Sequence, residues 1–154
     1  MLPNHSLPKI RRVDISNNYL DGPIPSKLDS FFPNLENLFM SRNAFQGSIP
    51  CSFGNLVSLK VLDLSNNHLS GTMPENFTMG CSSLMYLKLS KSNFSGQIFP
   101  TSFNLTKLSN LYVDNNQFFG KIPDCLSSNS LNAIDFSKTI CQASFQDGWG
   151  TCPI

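Results

Sequence analysis

Two histidines, five cysteines and ten acidic residues are the side chains of this chain that could hold a metal or move a proton. His5 and His68 lie far apart, and neither has a second ligand three or four residues away. The sequence contains no G-x-S-x-G elbow, H-E-x-x-H helix, phosphate loop or glycine-rich dinucleotide turn. The chain therefore reads as non-enzymatic, with no catalytic residue, no metal and no cofactor. A different chemistry is carried by residues that recur in two slots of a periodic pattern. One column reads Asp14, Phe39, Asp63, Lys88, Tyr112, Asp135, and a second reads Asn17, Arg42, Asn66, Lys91, Asn115, Lys138. Phe39, Arg42, Lys88, Lys91 and Tyr112 stand out there, and aromatic and cationic groups of this kind are enriched where proteins grip a partner. Tyr86 joins them if its slot faces outward rather than toward the core.

A repeat must position these columns. Five segments align: VDISNNYLDGPIP from Val13, LFMSRNAFQGSIP from Leu38, LDLSNNHLSGTMP from Leu62, LKLSKSNFSGQIFP from Leu87 and LYVDNNQFFGKIP from Leu111, with a partial sixth from Ile134. Their starts are separated by 25, 24, 25, 24 and 23 residues, and Gly22, Gly47, Gly71, Gly96 and Gly120 keep the same register. L-x-L places two apolar side chains on one face of a short strand and the intervening residue on the other. Such strands can pair only with those of neighbouring repeats. Asn18, Asn43, Asn67 and Asn116 follow, with amides able to satisfy backbone groups where the chain leaves the strand. Leu20, Phe45, Leu69, Phe94 and Phe118 then return to the core, glycine permits a turn, and Ile-Pro or Met-Pro fixes an extended segment. Apolar residues spaced by three in 52–59 and 101–108 fit a short 3₁₀ or α turn on the outer side.

The pattern resembles the plant-type leucine-rich repeat over residues 7 to about 138, with Leu59–Pro74 matching almost throughout and S-G-x-I-P specific to the plant subtype. I-P-C-S-F at Cys51, C-S-S-L at Cys81 and I-P-D-C-L at Cys125 are similar to the ectodomains of plant receptor-like proteins. The resemblance implies an α/β solenoid, a right-handed superhelix with a short parallel sheet on the concave face and 3₁₀ or irregular segments on the convex face. It also implies that Asp14, Asp63 and Asp135 are ordinary solvent-facing residues of their slot, that ligands are peptides or proteins bound on the concave face, and that a co-receptor kinase is a further partner. Departures are local. Ser92 and Thr139 replace the ladder asparagine with shorter hydroxyls, predicting a weaker ladder there, and Phe99, inserted before Pro100, predicts a bulge.

Composition agrees with a repeat. Nineteen Leu, 22 Ser and 17 Asn occupy over a third of 154 positions, and a net charge of +1 excludes a nucleic-acid surface built on excess positive charge. No apolar run approaches the roughly 18 residues of a bilayer span, so the chain is expected not to insert into a membrane, and Met1–Arg12 has no apolar stretch of an export signal. Five cysteines and the sequons at Asn4, Asn76, Asn93 and Asn104 point instead to an oxidising compartment. The expectation is a fragment of an extracellular parent, displayed on the outer face of the plasma membrane. Residues 1–138 form the solenoid; 139–154 form a divergent tail, read as a truncated or altered terminus, with a cap closed by Cys141 and Cys152 around Trp149 as the alternative. Functionally this is a recognition module for defence or developmental signalling. The alternatives are a secreted inhibitor of cell-wall-degrading hydrolases and an inactive truncated product.

Overall fold

The computed structural model describes residues 5–99, 104–120 and 131–139. The first sheet is formed by β1 (Arg12–Asp14), β3 (Asn37–Phe39), β5 (Val61–Asp63), β7 (Tyr86–Lys88), β9 (Asn110–Tyr112) and β11 (Ala133–Asp135), all parallel and in sequence order. The register follows the repeat, pairing Val13 with Leu38, then Leu62, Leu87, Leu111 and Ile134. Leu38, Leu62, Leu87 and Leu111 are buried, and the residues flanking each lie on the opposite, concave face. Burying each leucine contributes about 1.5–3 kcal/mol. On the convex side the chain turns through α1 (Leu28–Phe31), a 3₁₀ turn at Cys51–Asn55 and α2 (Glu75–Gly80), as the spacing by three implies.

Between the first sheet and the convex turns the chain forms a second parallel sheet, which the repeat pattern did not announce. Five strands build it: β2 (Asp21–Pro23), β4 (Ala44–Gly47), β6 (His68–Gly71), β8 (Asn93–Gln97) and β10 (Gln117–Phe119). Stacking at a constant period places each extended N-x-L-x-G segment beside its equivalent, so backbone groups that would otherwise be orphaned pair between coils. Two left-handed positions per coil bend the chain between these elements. Asn17, Arg42, Asn66, Lys91, Asn115 and Lys138 have φ of 50–56°, and the register glycines have φ of 77–119°. Gly54 and Gly80 serve a separate purpose: a Cβ on Gly54 would lie 2.2 Å from Asn76 O, and one on Gly80 2.0 Å from Gly54 O. Only glycine lets these convex turns approach so closely.

The asparagine ladder forms. Asn67 Nδ2 donates to Leu64 O (2.9 Å) and Met40 O (3.1 Å) while its Oδ1 accepts from Phe45 N (3.1 Å); Asn116 does the same with Val113 O, Leu89 O and Phe94 N. Ser92 makes one 3.5 Å bond, to Asn67 O, whereas Thr139 Oγ1 donates to Val113 O at 2.7 Å. Leu20 and Ile134, both assigned inward from sequence, are 41 % and 42 % exposed; each belongs to an outermost coil of the described residues, with a described neighbour on one side only. Phe99 is buried, edge-on to Phe136 with ring centroids 6.3 Å apart. The bulge at Pro100, the tail beyond Thr139 and the Cys141–Cys152 cap lie outside the described residues.

Candidate functional site

Alternation along each strand gives the concave face two columns. Arg12, Asn37, Val61, Tyr86, Asn110 and Ala133 form the first; Asp14, Phe39, Asp63, Lys88, Tyr112 and Asp135 form the second. The aspartates of the second column brace their own turns. Asp14 Oδ1 accepts from Ser16 N (3.2 Å) and Oγ (2.6 Å), Asp63 Oδ1 from Ser65 N (3.0 Å) and Oγ (2.6 Å), and Asp135 Oδ1 from Ser137 N (2.9 Å). Ser16's bonds, with Arg12 adding to them, hold the Asp14 carboxyl below the usual carboxylate range. These carboxylates are occupied structurally.

The other members fall into two groups. Lys88 pairs across the sheet with Tyr112, its Nζ 6.0 Å from the ring centroid, and Tyr86 packs diagonally on Tyr112 at 5.5 Å with an interplanar angle of 41°. Tyr86 thus faces the concave surface, not the core. Burial foremost, with the neighbouring Tyr112 phenol and the Asp63 carboxylate adding to it, pushes the Tyr86 phenol above its ordinary pKa. Two strands away, Arg12 stacks its guanidinium 4.3 Å from the Phe39 ring centroid and reaches Asp14 Oδ2 at 2.9 Å. Asp63 stands between the two groups. Arg42 and Lys91 lie beyond the strands in the left-handed turns, exposed, and border the face; Arg42 Nη1 approaches Asn17 Oδ1 at 3.4 Å. Sequence reasoning missed Arg12, although its place two residues before Asp14 puts it on the same side of the strand.

Along the edge where the strands begin, Glu36 accepts from Arg11 (2.6 Å) and Lys60 (2.7 Å), and these cations, Lys60 foremost, lower its pKa. Asn76, Asn93 and Asn104 are exposed. Cys51 is exposed and Cys81 buried, both as free thiols. Among the described residues, no three His, Cys, Asp or Glu converge as metal ligands, and no helix is long and apolar enough to cross a membrane.

Comparison with known proteins bears on the fold. The family described as leucine rich repeat matches residues 8–69, and a second description of the same repeat matches 107–129. The leucine-rich repeat ectodomain of the Arabidopsis thaliana receptor kinase SOBIR1 is 35 % identical, with a TM-score of 0.74 over 82 % of this chain and 68 % of that one. The chain belongs to the plant leucine-rich repeat family. The ectodomain of the Arabidopsis receptor kinase HAESA, solved with the peptide hormone IDA and the co-receptor SERK1, superposes with a TM-score of 0.80 at 32 % identity, over 88 % of this chain and 23 % of that one. Among sequence relatives, the Arabidopsis thaliana receptor-like kinase GSO2 is 44 % identical over 48 residues, 31 % of this chain. Receptor-like protein 9b of the same plant is 39 % identical over 59 residues, 38 % of this chain. The chain spans 4 % and 6 % of the lengths of these two relatives, and the kinase-named match lies in the repeats alone.

Proposed function

We propose that the six-stranded face is a recognition surface for an extended peptide or protein segment bearing acidic and apolar groups, within the ectodomain of a plant cell-surface receptor-like protein. The observation that carries this reading is the contiguous Tyr86–Tyr112–Lys88 cluster, on a face whose remaining positions are mostly small or polar. Phe39 with Arg12, bordered by Arg42, supplies a second contact group, and Lys91 borders the first. Six strands about 4.8 Å apart span roughly 24 Å, the length of about seven extended residues crossing them. HAESA, solved in complex with a peptide hormone and a co-receptor, supports a peptide ligand and, as second partner, a co-receptor kinase. The signalling served is defence or development. Asn76, Asn93 and Asn104 are exposed and suited to carry N-glycans on the extracellular side.

The test uses heptapeptides selected on the immobilised chain from a random library. Phe39→Ala combined with Tyr112→Ala weakens the selected peptides at least tenfold, equivalent to about 1.4 kcal/mol, while the cooperative unfolding of the chain persists. Unchanged affinity in the double variant refutes the reading.

A further inference from the structure

The fourth repeat breaks a hydrogen-bonded turn that its neighbours keep. In the first, third and sixth repeats an aspartate at the strand end accepts from the serine two residues on, at Asp14–Ser16, Asp63–Ser65 and Asp135–Ser137. In the fourth, the serine remains as Ser90 but Lys88 stands where the carboxylate should be. Ser90 is 3 % exposed, and its Oγ is buried without a hydrogen-bond partner. Among the described residues, nothing accepts from its N–H either. Repeats two and five also lack the aspartate, but they carry Phe39 with a half-buried Ser41 and Tyr112 with Asp114. The fourth alone combines a buried, unsatisfied serine with cations.

We propose that Ser90, Lys88 and Lys91 form a carboxylate-binding subsite. An external carboxylate occupies the place that Oδ1 holds in the neighbouring repeats, accepting from the Ser90 N–H and Oγ–H, while the two lysines balance its charge. Neither lysine is in an ion pair among the described residues. The carboxylates nearest in the lattice of repeats are already engaged: Asp63 by Ser65, and Asp114 Oδ2 by Asn115 Nδ2 at 2.7 Å. Lys88 carries its ammonium on a flexible stem and can turn from Tyr112 toward the incoming group. Tyr86 and Tyr112 beside it offer apolar surface to the rest of the ligand. As the acidic subsite of a peptide ligand, this rests on the recognition reading above.

The test needs no natural ligand. Sodium acetate is titrated into the ¹⁵N-labelled full chain against sodium chloride of equal ionic strength, and backbone amides are followed by NMR. The Ser90 amide proton moves downfield saturably, and that of Ser65, already bonded to Asp63, does not. Lys88→Asp supplies the missing carboxylate internally: its Ser90 amide is shifted before acetate is added, and the acetate response is lost. Aspartate is the native residue of this slot in three repeats, and the unchanged Ser16 and Ser137 resonances report that the variant folds. A Ser90 amide that ignores acetate, or that responds equally in Lys88→Asp, overturns the subsite. N-acetylaspartate α-methylamide and N-acetylalanine, titrated likewise, distinguish a side-chain carboxylate from a chain terminus as the source. Peptide binding on the concave face with no carboxylate response overturns the subsite alone; an acetate response with no peptide binding overturns the recognition reading alone.

Discussion

Replacing one ladder asparagine at two depths measures what the ladder contributes. Asn67→Ala removes an amide that is 6 % exposed and bonded to four backbone groups, of which Ser65 O keeps Arg42 N–H as a donor. Met40 O keeps a second donor, Asn43 Nδ2 at 3.1 Å, but Phe45 N–H and Leu64 O lose the partner they had. An orphaned buried group costs about 1–3 kcal/mol, so two of them, partly relieved by entering water, cost about 3 kcal/mol. For a chain of this length that lowers Tm by about 6–12 °C. Asn18→Ala removes the equivalent side chain from the first coil, where its bonds to Ile15 O and Ser16 O are exposed and water replaces them. Its cost is below about 1 kcal/mol. Urea unfolding followed by circular dichroism gives both values, with the slope of the transition checking that the coils still unfold together. Equal costs at the two sites would refute the ladder as a buried hydrogen-bond device.

Four further outcomes follow from the same geometry. Gly54→Ala places a methyl group against Asn76 O and destabilises by about 2 kcal/mol or more, whereas Gly22→Ala, with open space around it and only its φ of +82° to strain, costs about 1 kcal/mol; chemical denaturation compares them. Asn66→Val puts a β-branched residue at φ 55° and costs about 2 kcal/mol, while Arg42→Asn at φ 56° is neutral or stabilising by thermal unfolding. The Glu36 carboxyl, lowered by Lys60 and Arg11, lends stability that is present above its ordinary pKa of about 4.5 and is lost as pH falls through the depressed folded value; a Tm-against-pH curve shows this acid limb, and Glu36→Gln flattens it. Burial pushes the Cys81 thiol up to about 12, so iodoacetamide at pH 8 labels Cys51 in the folded chain and reaches Cys81 only after unfolding, by mass mapping.

The repeat period made most of the core legible, because Leu62 and Leu87 can be inward only if every equivalent residue is, and the ladder followed from Asn67 and Asn116 standing at a fixed distance beyond it. The second sheet was not legible. Its strands are built around Gly47, Gly71 and Gly96, poor strand formers in isolation, and their partners lie about one full coil away in sequence. The left-handed turn column was half visible: Asn17, Asn66 and Asn115 favour that conformation, but Arg42, Lys91 and Lys138 do not and follow only because the stack imposes it. The grouping of Tyr86 with Tyr112 depends on strand register, which the constant period contained; the pairing of Arg12 with Phe39 needed the same argument applied to a residue outside the repeated L-x-L core.

The central claim is that ligand meets the six-stranded face. Backbone amide perturbation by a bound heptapeptide on the ¹⁵N-labelled chain tests it most directly: the largest shifts are expected at Phe39, Tyr86, Lys88, Ser90 and Tyr112, with β4, β6 and β8 unmoved. Shifts concentrated on the second sheet or the convex turns at Cys51–Asn55 and Glu75–Gly80 would contradict it.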